Sequence, residues 1–305
     1  SEFSERIQKI SINAGFTCPN RDGSKGTGGC TYCNNQTFSP DYCKPAKSVS
    51  QQLEEGIAFF NNKYEAQKYL AYFQSYTNTY DKLENLTQIY EEALINPKVV
   101  GIVIGTRPDC VSDELLDYFA ELNKQYYVMI EYGVESTSDD TLKLINRGHD
   151  YACAEQVIRK TAARGLRTAA HLILGLPGES RETILSHAKK ISGLPLTAIK
   201  LHQLQLVRGT VMARQFAEHP EWFNMMSAME YIDLVIDFLE ILHPQIAVER
   251  FISQSPPRLL IAPDWGLKNF EFVSKIEKRL VERDTWQGKK FLPPLKDSQN
   301  INSDQ

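Results

Sequence analysis

The sequence has no long apolar run and little cysteine for its length. No stretch among its 305 residues approaches the roughly 20 consecutive apolar residues that a transmembrane helix needs. Six cysteines in a chain of this size do not form a disulfide scaffold, and the start of the chain lacks the basic-then-apolar order of a signal peptide. These absences argue against a membrane partner and against a disulfide-rich secreted domain, and they predict a location in the reducing cytoplasm.

The chain also lacks an excess of basic charge. Its 34 Lys and Arg residues stand against 38 Asp and Glu, so the net charge is −4 and no overall positive field points to nucleic acid. The hydrophobic share of 42% and the charged share of 24% are typical of a globular protein. A length of 305 residues suits one large α/β barrel or two modest domains.

Residues 8–210 alternate short apolar runs with helical patterns, without a linker between them. The runs are too continuously apolar for a sheet with one face in water, so they predict six parallel strand–helix units. Right-handed crossovers then allow a parallel barrel or an open doubly wound sheet. In both, chemistry takes place at the carboxyl ends of the strands. The predicted strands are 10–13, 69–74, 99–105, 127–132, 167–174 and 198–206.

The pattern changes after residue 210. An apolar stripe at helical spacing runs over 225–242 and ends at His243 and Pro244, and it predicts a helix that covers the core. A strand over 246–252 and a charged helix over 267–283 follow. We therefore predict a barrel over 8–210, an extension over 211–288 that packs on the barrel, and a disordered polar tail over 289–305.

Three cysteines near the start, Cys18, Cys30 and Cys33, carry the strongest chemical signal. Cysteine thiolates hold iron–sulfur clusters, and three thiolates on a four-iron cluster leave one iron open to a small molecule. Structural zinc normally takes four ligands, and no fourth stands in register, because the first histidine is His149. The spacing favours a cluster over a structural zinc site or simple thiols.

Together with these cysteines, three further segments resemble the radical S-adenosylmethionine (SAM) superfamily. The segment 171–179 (HLILGLPGE) is similar to a motif of the superfamily, and 18–23 (CPNRDG) with 145–150 (INRGHD) resembles its YhcC branch, a relative of the Elongator catalytic subunit. The resemblance extends over about residues 8–265. One departure is that eleven residues separate Cys18 from Cys30, whereas the usual superfamily spacing is Cys-x3-Cys-x2-Cys.

The resemblance implies an α/β fold, a partial (βα)6 TIM-like barrel with a C-terminal extension of helices and strands. It implies a [4Fe-4S] cluster on Cys18, Cys30 and Cys33, with SAM bound to the open iron. An electron from the cluster would split SAM into methionine and a 5′-deoxyadenosyl radical that abstracts hydrogen from the substrate. An external electron donor of flavodoxin or ferredoxin type is implied as well.

The resemblance also assigns SAM contacts by position. These are Tyr32 at the adenine, Gln74, Ser75 and Thr77 at the methionine amine, Glu135 at the ribose, Arg147 at the carboxylate, and His171 in the fifth-strand motif. The Gly-Gly-Glu motif of many relatives is missing at 74–77, so contacts there are expected from backbone or hydroxyl groups. The alternatives are a helix N-terminal acid for Glu135, a surface salt bridge for Arg147, and a satisfied core histidine for His171.

The substrate that the resemblance favours is tRNA, modified at a wobble uridine. The composition does not independently indicate RNA binding, and six basic residues near the predicted rim are candidates for phosphate contacts: Arg21, Lys25, Arg107, Lys200, Arg208 and Arg250. Alternatives are a small-molecule substrate, as in oxygen-independent porphyrinogen oxidation, and a non-catalytic iron–sulfur or zinc sensor. Cys110 is a candidate to face the substrate, whereas Cys43 and Cys153 are expected to be plain thiols.

Overall fold

The computed structural model describes residues 3–34, 40, 42–61 and 67–293, and its main feature is a sheet of seven parallel strands. Their order is β1-β2-β3-β4-β5-β6-β8. The sheet curls into a half-barrel, as expected for a partial TIM barrel. The strands are β1 (Arg6–Ile12), β2 (Gln67–Phe73), β3 (Val99–Thr106), β4 (Tyr127–Glu135), β5 (Arg167–Leu174), β6 (Ala198–Gln203) and β8 (Ala247–Arg250), and a separate antiparallel pair is β7 (Leu206–Val207) with β9 (Leu260–Ala262).

Helices follow most strands and cover the outside of the sheet. They are α1 (Val49–Asn61), α2 (Leu83–Leu94), α3 (Asp113–Leu122), α4 (Asp139–Leu144), α5 (Tyr151–Ala163), α6 (Arg181–Ser192), α7 (Val211–Glu218), α8 (Ala228–Ile241) and α9 (Asn269–Glu282). The predicted cap of α3 is confirmed, because the Ser112 side chain accepts a hydrogen bond from the backbone N–H of Leu115. Within the described ranges, no helix combines the length and the apolar composition that a membrane span requires.

The core lies on both faces of the sheet. Along β2, Tyr69, Ala71 and Phe73 pack towards the helices, whereas Leu70 and Tyr72 point into the barrel interior with Val103 of β3. Because successive side chains of a strand point to opposite faces, burial of both faces makes the whole strand apolar. This explains why β2 to β5 could be predicted from continuous apolar runs, whereas the predicted first strand, 10–13, begins four residues after the start of β1.

The sheet holds one more strand than predicted. β8 lies within the predicted strand 246–252, and it pairs in parallel with β6, Ala198 opposite Ala247. The segment after residue 210 therefore completes the barrel sheet as well as packing on it. The predicted sixth strand is also too long, because β6 ends at Gln203 and the next residues turn away to form β7.

Two details of the C-terminal prediction change. The helix predicted from the apolar stripe over 225–242 begins at Ala228, because Ser227 and Glu230 form a capping box there. In the predicted tail, the backbone N–H of Lys290 donates to the Glu240 carbonyl at 2.7 Å. Residues 294–305 of that tail lie outside the described residues, and the three-part division of the chain stays a prediction.

Candidate active site

A pocket opens at the carboxyl edge of the sheet, where the loops after the strands meet. Two groups of residues line it. The group that we call the cysteine side comprises Cys18, Arg21, Cys30, Tyr32, Cys33, Gln74, Thr77, Arg107, Glu135 and Arg147. The group that we call the histidine side comprises Tyr72, Glu131, His171, His202, Gln203, Gln205, Ser253 and Ser255. The predicted edge of the sheet is therefore the one that carries the pocket.

The loop after β1 brings the three cysteines to one wall. A turn closes at Cys18, whose carbonyl accepts from the backbone N–H of Arg21 at 2.7 Å, and a second closes between Cys33 and Cys30 at 3.1 Å. The Arg21 guanidinium then donates to the Cys33 carbonyl at 2.6 Å and joins the two turns. The long spacing between the first two cysteines is thus folded back on itself, and all three reach the pocket.

The turn after α4 fixes this loop in place. The Asn20 side chain donates to the Asn146 carbonyl at 2.7 Å, and the Asn146 side chain donates to the Gly29 carbonyl at 2.9 Å. Gly148 has a positive φ of 82°, and a Cβ there would come within 2.9 Å of the Asn20 side-chain oxygen. A side chain at residue 148 would therefore push the cysteine loop out of position.

The environment of the cysteines favours a positively charged ligand. Burial raises the pKa of the Cys33 thiol to about 12, and negative charge at Cys30 and Cys18 adds to this effect. Arg21 and Arg147 act in the opposite direction, and Arg147 Nη1 lies 3.6 Å from Cys30 Sγ. The Cys33 thiol in this setting ionises readily only when a metal supplies the missing charge, since a coordinating thiol is deprotonated outright.

The described cysteines do not form a closed site for a single ion. In the part of the chain that the structure describes, no three His, Cys, Asp or Glu side chains lie together as ligands of one metal ion. Ligands of one zinc ion all lie within about 2.3 Å of it. The cysteines of an iron–sulfur cubane each bind a different iron, so their sulfur atoms stand farther apart.

Arg147 and Glu135 meet beside Cys30. The Arg147 side chain is only 6% exposed and its Nη2 lies 3.9 Å from Glu135 Oε1, so the surface salt bridge considered for Arg147 is wrong. Burial opposes its charge, but Tyr32, Cys30 and Glu135 together raise its pKa, and it stays protonated. The helix N-terminal role considered for Glu135 is also wrong, because the residue ends β4 and α4 begins at Asp139.

A bulge in β4 aims Glu135 into the pocket. The register between β4 and β5 shifts between Gly133 and Glu135, and Glu135 takes a positive φ of 69°. This backbone region is uncommon for a residue with a side chain, and bulges re-aim side chains beside active sites. A Cβ at Gly133 would approach Glu135 Oε1 to 2.7 Å and Arg147 Nη2 to 2.8 Å, so the glycine makes room for this pair.

Three buried polar atoms of the cysteine side have no hydrogen-bond partner among the described residues. They are Thr77 Oγ1, Arg107 Nη1 and Arg147 Nε. Arg107 is 3% exposed and its remaining nitrogens bind Asp109 Oδ1 and Oδ2 at 2.9 and 3.1 Å. Because buried polar groups are nearly always paired, these atoms point to a ligand. Two guanidinium N–H groups and a hydroxyl fit the carboxylate and amine of an amino acid such as the methionine part of SAM.

The histidine side is built on the buried carboxylate of Glu131. Its Oε2 accepts hydrogen bonds from Tyr72 at 2.7 Å, His171 at 2.9 Å and Lys200 at 2.5 Å, and its Oε1 accepts from Lys9 at 3.0 Å. Burial opposes ionisation of Glu131, but Lys200, His171 and Lys9 together hold its pKa well below the usual value. At Lys200 burial prevails over the attraction of Glu131 and lowers the pKa to about 8.

All but one of the residues that the sequence assigned to SAM line the pocket. Tyr32, Gln74, Thr77, Glu135, Arg147 and His171 line the pocket with the three cysteines, whereas Ser75 is buried outside the lining. His171 is paired with Glu131, on the side of the pocket away from the cysteines. Which of these residues contact SAM stays a prediction. Glu131, Tyr72 and His202 also line the pocket and were not predicted as site residues, although Lys200 inside an apolar strand indicates a buried charge partner.

Other candidates lie away from the pocket or are already paired. Lys200 is 3% exposed and bound to Glu131, so it is not available for an RNA phosphate and that prediction is wrong, whereas Arg107 is equally buried but lines the pocket. Arg21, Lys25 and Arg208 are exposed. Cys110 is buried outside the pocket lining, and burial raises the pKa of its thiol to about 12.

Comparisons with known proteins identify a family. The pattern of the radical SAM superfamily matches residues 17–191, and that of the radical SAM C-terminal domain matches 196–282. Protein YhcC of Escherichia coli (strain K12) is 33% identical over 299 residues, which cover 96% of this chain and 94% of that protein. The predicted family and the predicted branch are confirmed.

Two more distant proteins are also similar. A tRNA uridine(34) acetyltransferase of Dehalococcoides mccartyi (strain CBDB1) is 25% identical over 190 residues, which cover 61% of this chain and 39% of that protein. The structure of Elp3 from the archaeon Methanocaldococcus infernus, with residues 1–46 deleted, aligns with a TM-score of 0.70 at 16% identity. The alignment covers 92% of this chain and 64% of that one. At this identity the structural match establishes the fold, a partial barrel of the same kind.

Proposed function

Since the chain belongs to the radical SAM superfamily, we propose that this enzyme uses a [4Fe-4S] cluster and SAM to modify a uridine of tRNA. The cluster and SAM are the cofactors of the family, and its members are enzymes, which removes the non-catalytic sensor from consideration. The observation that carries the proposal is that three cysteines and two buried arginines line the same wall of one pocket. Each arginine has one nitrogen without a hydrogen-bond partner among the described residues. The choice of tRNA uridine rests on the similarity to a tRNA uridine(34) acetyltransferase.

Different residues of the cysteine side would hold the cluster and SAM. Cys18, Cys30 and Cys33 would ligate the cluster, and the loop contacts of Asn20 and Arg21 hold them together. When bound, the cluster and SAM supply a 5′-deoxyadenosyl radical that removes a hydrogen atom from the substrate. The N–H groups that Arg147 and Asn20 direct at Cys30 Sγ lie at 3.6 and 3.7 Å, and such bonds tune the reduction potential of a cluster.

The SAM contacts follow from the unpaired atoms. Arg147 Nε and Arg107 Nη1 would donate to the SAM carboxylate in charge-assisted bonds, and Thr77 Oγ1 would accept from its amine. Glu135 would accept from the ribose hydroxyls, and Tyr32 would pack on the adenine. Arg107 is an addition to the residues that the sequence assigned to SAM. An external flavodoxin or ferredoxin remains our proposed electron donor.

The cluster assignment is tested by changing one cysteine at a time. We expect anaerobically reconstituted wild-type protein to hold about four irons and to cleave SAM with dithionite, because the family cluster is a cubane. Cys18→Ala, Cys30→Ala and Cys33→Ala should lose the charge-transfer absorbance, most of the iron and 5′-deoxyadenosine formation. Cys43→Ala and Cys153→Ala are the matched controls and should retain all three. Retention of iron and turnover by any of the first three variants would refute the ligand assignment.

The tRNA assignment is tested by binding. Unmodified tRNA should bind the wild-type protein in a mobility-shift assay at low salt, and the affinity should fall steeply between about 50 and 200 mM salt as counterions compete for phosphates. A DNA hairpin of the same length and sequence serves as the control. Absence of any tRNA affinity at low salt would overturn the proposal of tRNA as the substrate without affecting the cluster assignment.

A further inference from the structure

The histidine side of the pocket is closed by a segment from the far end of the chain. Residues 253–255 follow β8, and the Gln203 amide holds them through two bonds, Nε2 to the Ser253 carbonyl at 2.9 Å and Oε1 from the Ser253 N–H at 2.8 Å. Gln205 Oε1 accepts from the Ser255 hydroxyl at 2.7 Å. Gln205 Nε2 also donates to the Ser253 carbonyl at 3.2 Å, so both glutamine amides are engaged in building this wall.

Two imidazole rings present the remaining polar atoms. His171 Nε2 must donate to the ionised Glu131, so Nδ1 of a neutral His171 ring carries a lone pair. His202 Nδ1 pairs with the Ser253 hydroxyl, and its Nε2 is buried without a partner among the described residues. The two rings lie 5.4 Å apart, centroid to centroid. A buried ring nitrogen without a partner costs free energy, and its position in a pocket lining points to a ligand.

The lysines on this side of the pocket are paired with carboxylates. Lys9 and Lys200 are each paired with Glu131 and with Glu249. Among the described residues, no lysine or arginine lines the histidine side. Burial lowers the pKa of His202 well below its usual value, with His171 and Arg250 acting in the same direction, so His202 is neutral at pH 7. The lysines of this side are thus already neutralised by carboxylates, which favours an uncharged ligand over one with several carboxylates.

We propose that His171 and His202 recognise an uncharged heterocycle with both N–H and C=O groups, namely a uracil base turned out of its RNA strand. The inference rests on the proposed function and specifies which residues read the base. His171 Nδ1 would accept from the uracil N3–H. With the Ser253 hydroxyl donating to His202 Nδ1, the Nε2–H would donate to a uracil carbonyl. Enzymes that modify a base take it out of the stack and read this same edge. His171 then serves the substrate and not SAM.

The comparison of uracil with cytosine tests the inference, because cytosine presents an acceptor at N3 in place of the N–H. Two anticodon stem-loop RNAs that differ only by uridine or cytidine at the wobble position are the probes. We expect the wild-type holoenzyme to bind the uridine RNA at least about tenfold more tightly, the discrimination that a pair of good base contacts gives. The dissociation constants are measured anaerobically by fluorescence anisotropy, and 5′-deoxyadenosine formation with each RNA is the second readout.

The variants separate recognition from folding. His202→Phe and His171→Asn should bring the affinity ratio close to one, whereas His202→Gln, which keeps a donor near Nε2, should restore part of it. His219→Asn is the control, because His219 is exposed and stacks on Trp222 away from the pocket. Circular dichroism and iron content report whether each variant is folded and loaded.

The outcomes distinguish the two proposals. If the wild-type protein discriminates between the RNAs and His202→Phe and His171→Asn discriminate equally well, the histidine assignment is overturned and the proposed function stands. If folded, loaded wild-type protein binds both RNAs alike and neither stimulates 5′-deoxyadenosine formation, the uridine function is overturned and this inference is overturned with it.

Discussion

Glu131→Gln is the substitution that tests the electrostatic construction of the barrel most directly. The Glu131 carboxylate is fully buried and accepts hydrogen bonds from four side chains, two of them lysines. Glutamine preserves the shape and removes the charge. Lys200, whose side chain is 4% exposed, would keep only Glu249 at 3.6 Å as a counter-charge. Removing one partner of a buried ion pair leaves the other charge uncompensated and costs about 3–5 kcal/mol.

Urea unfolding of the reduced, metal-free protein measures this cost. With a slope m of about 3 kcal/mol per molar urea, the midpoint should fall by about 1–1.7 M at an unchanged slope. Glu249→Gln is the matched control: the side chain is 27% exposed, and loss of such a pair should cost less than about 1 kcal/mol. Adding Lys200→Met to Glu131→Gln should recover part of the lost free energy of unfolding, because the uncompensated charge of Lys200 is then removed.

The same network has a defined response to pH. The pKa of Glu131 is lower in the folded protein than the unfolded value of about 4.3. Its contribution to stability is therefore complete above that pH and is lost as the pH falls towards the folded pKa. The difference between wild type and Glu131→Gln should be smaller at pH 4 than at pH 5.5. A loss at pH 7 no larger than that of Glu249→Gln would refute the buried-network reasoning.

Two further predictions concern the cofactor side. Arg147→Lys keeps a charge but loses the planar guanidinium that reaches Cys30 and Gly133. The dissociation constant of SAM, measured by equilibrium dialysis, should therefore rise roughly tenfold. An unchanged value would contradict the assigned contact. Gly133→Ala should weaken SAM binding by a similar factor, because the alanine Cβ would come within 2.8 Å of Arg147 Nη2. If this variant has wild-type stability in urea and binds SAM normally, the spacing between Arg147 and Glu135 is not required for binding.

Much of the fold was determined by local sequence. The strands were predictable because both faces of a barrel strand are buried. As a result β3 is apolar almost throughout, and both β3 and β5 lie within one residue of their predicted bounds. The cap at Ser112 was predictable because it depends on residues within one turn. That Cys18, Cys30 and Cys33 would line one pocket could be predicted from residue type and spacing, and their role as ligands of a cluster stays a prediction.

The tertiary structure decided what depends on residues far apart in the chain. Lys9 meets Glu131 across 122 positions, Lys200 meets Glu131 across 69, and His202 meets Ser253 across 51. No periodic pattern in the sequence predicts such a partner, because an isolated charged or polar residue in an apolar strand does not indicate which strand lies beside it. The seventh strand has the same origin: β8 could be predicted as a strand, but its place beside β6 is decided by the closing of the sheet. Sequence therefore determined the type of chemistry and of fold, whereas long-range pairing determined the shape and charge of the pocket.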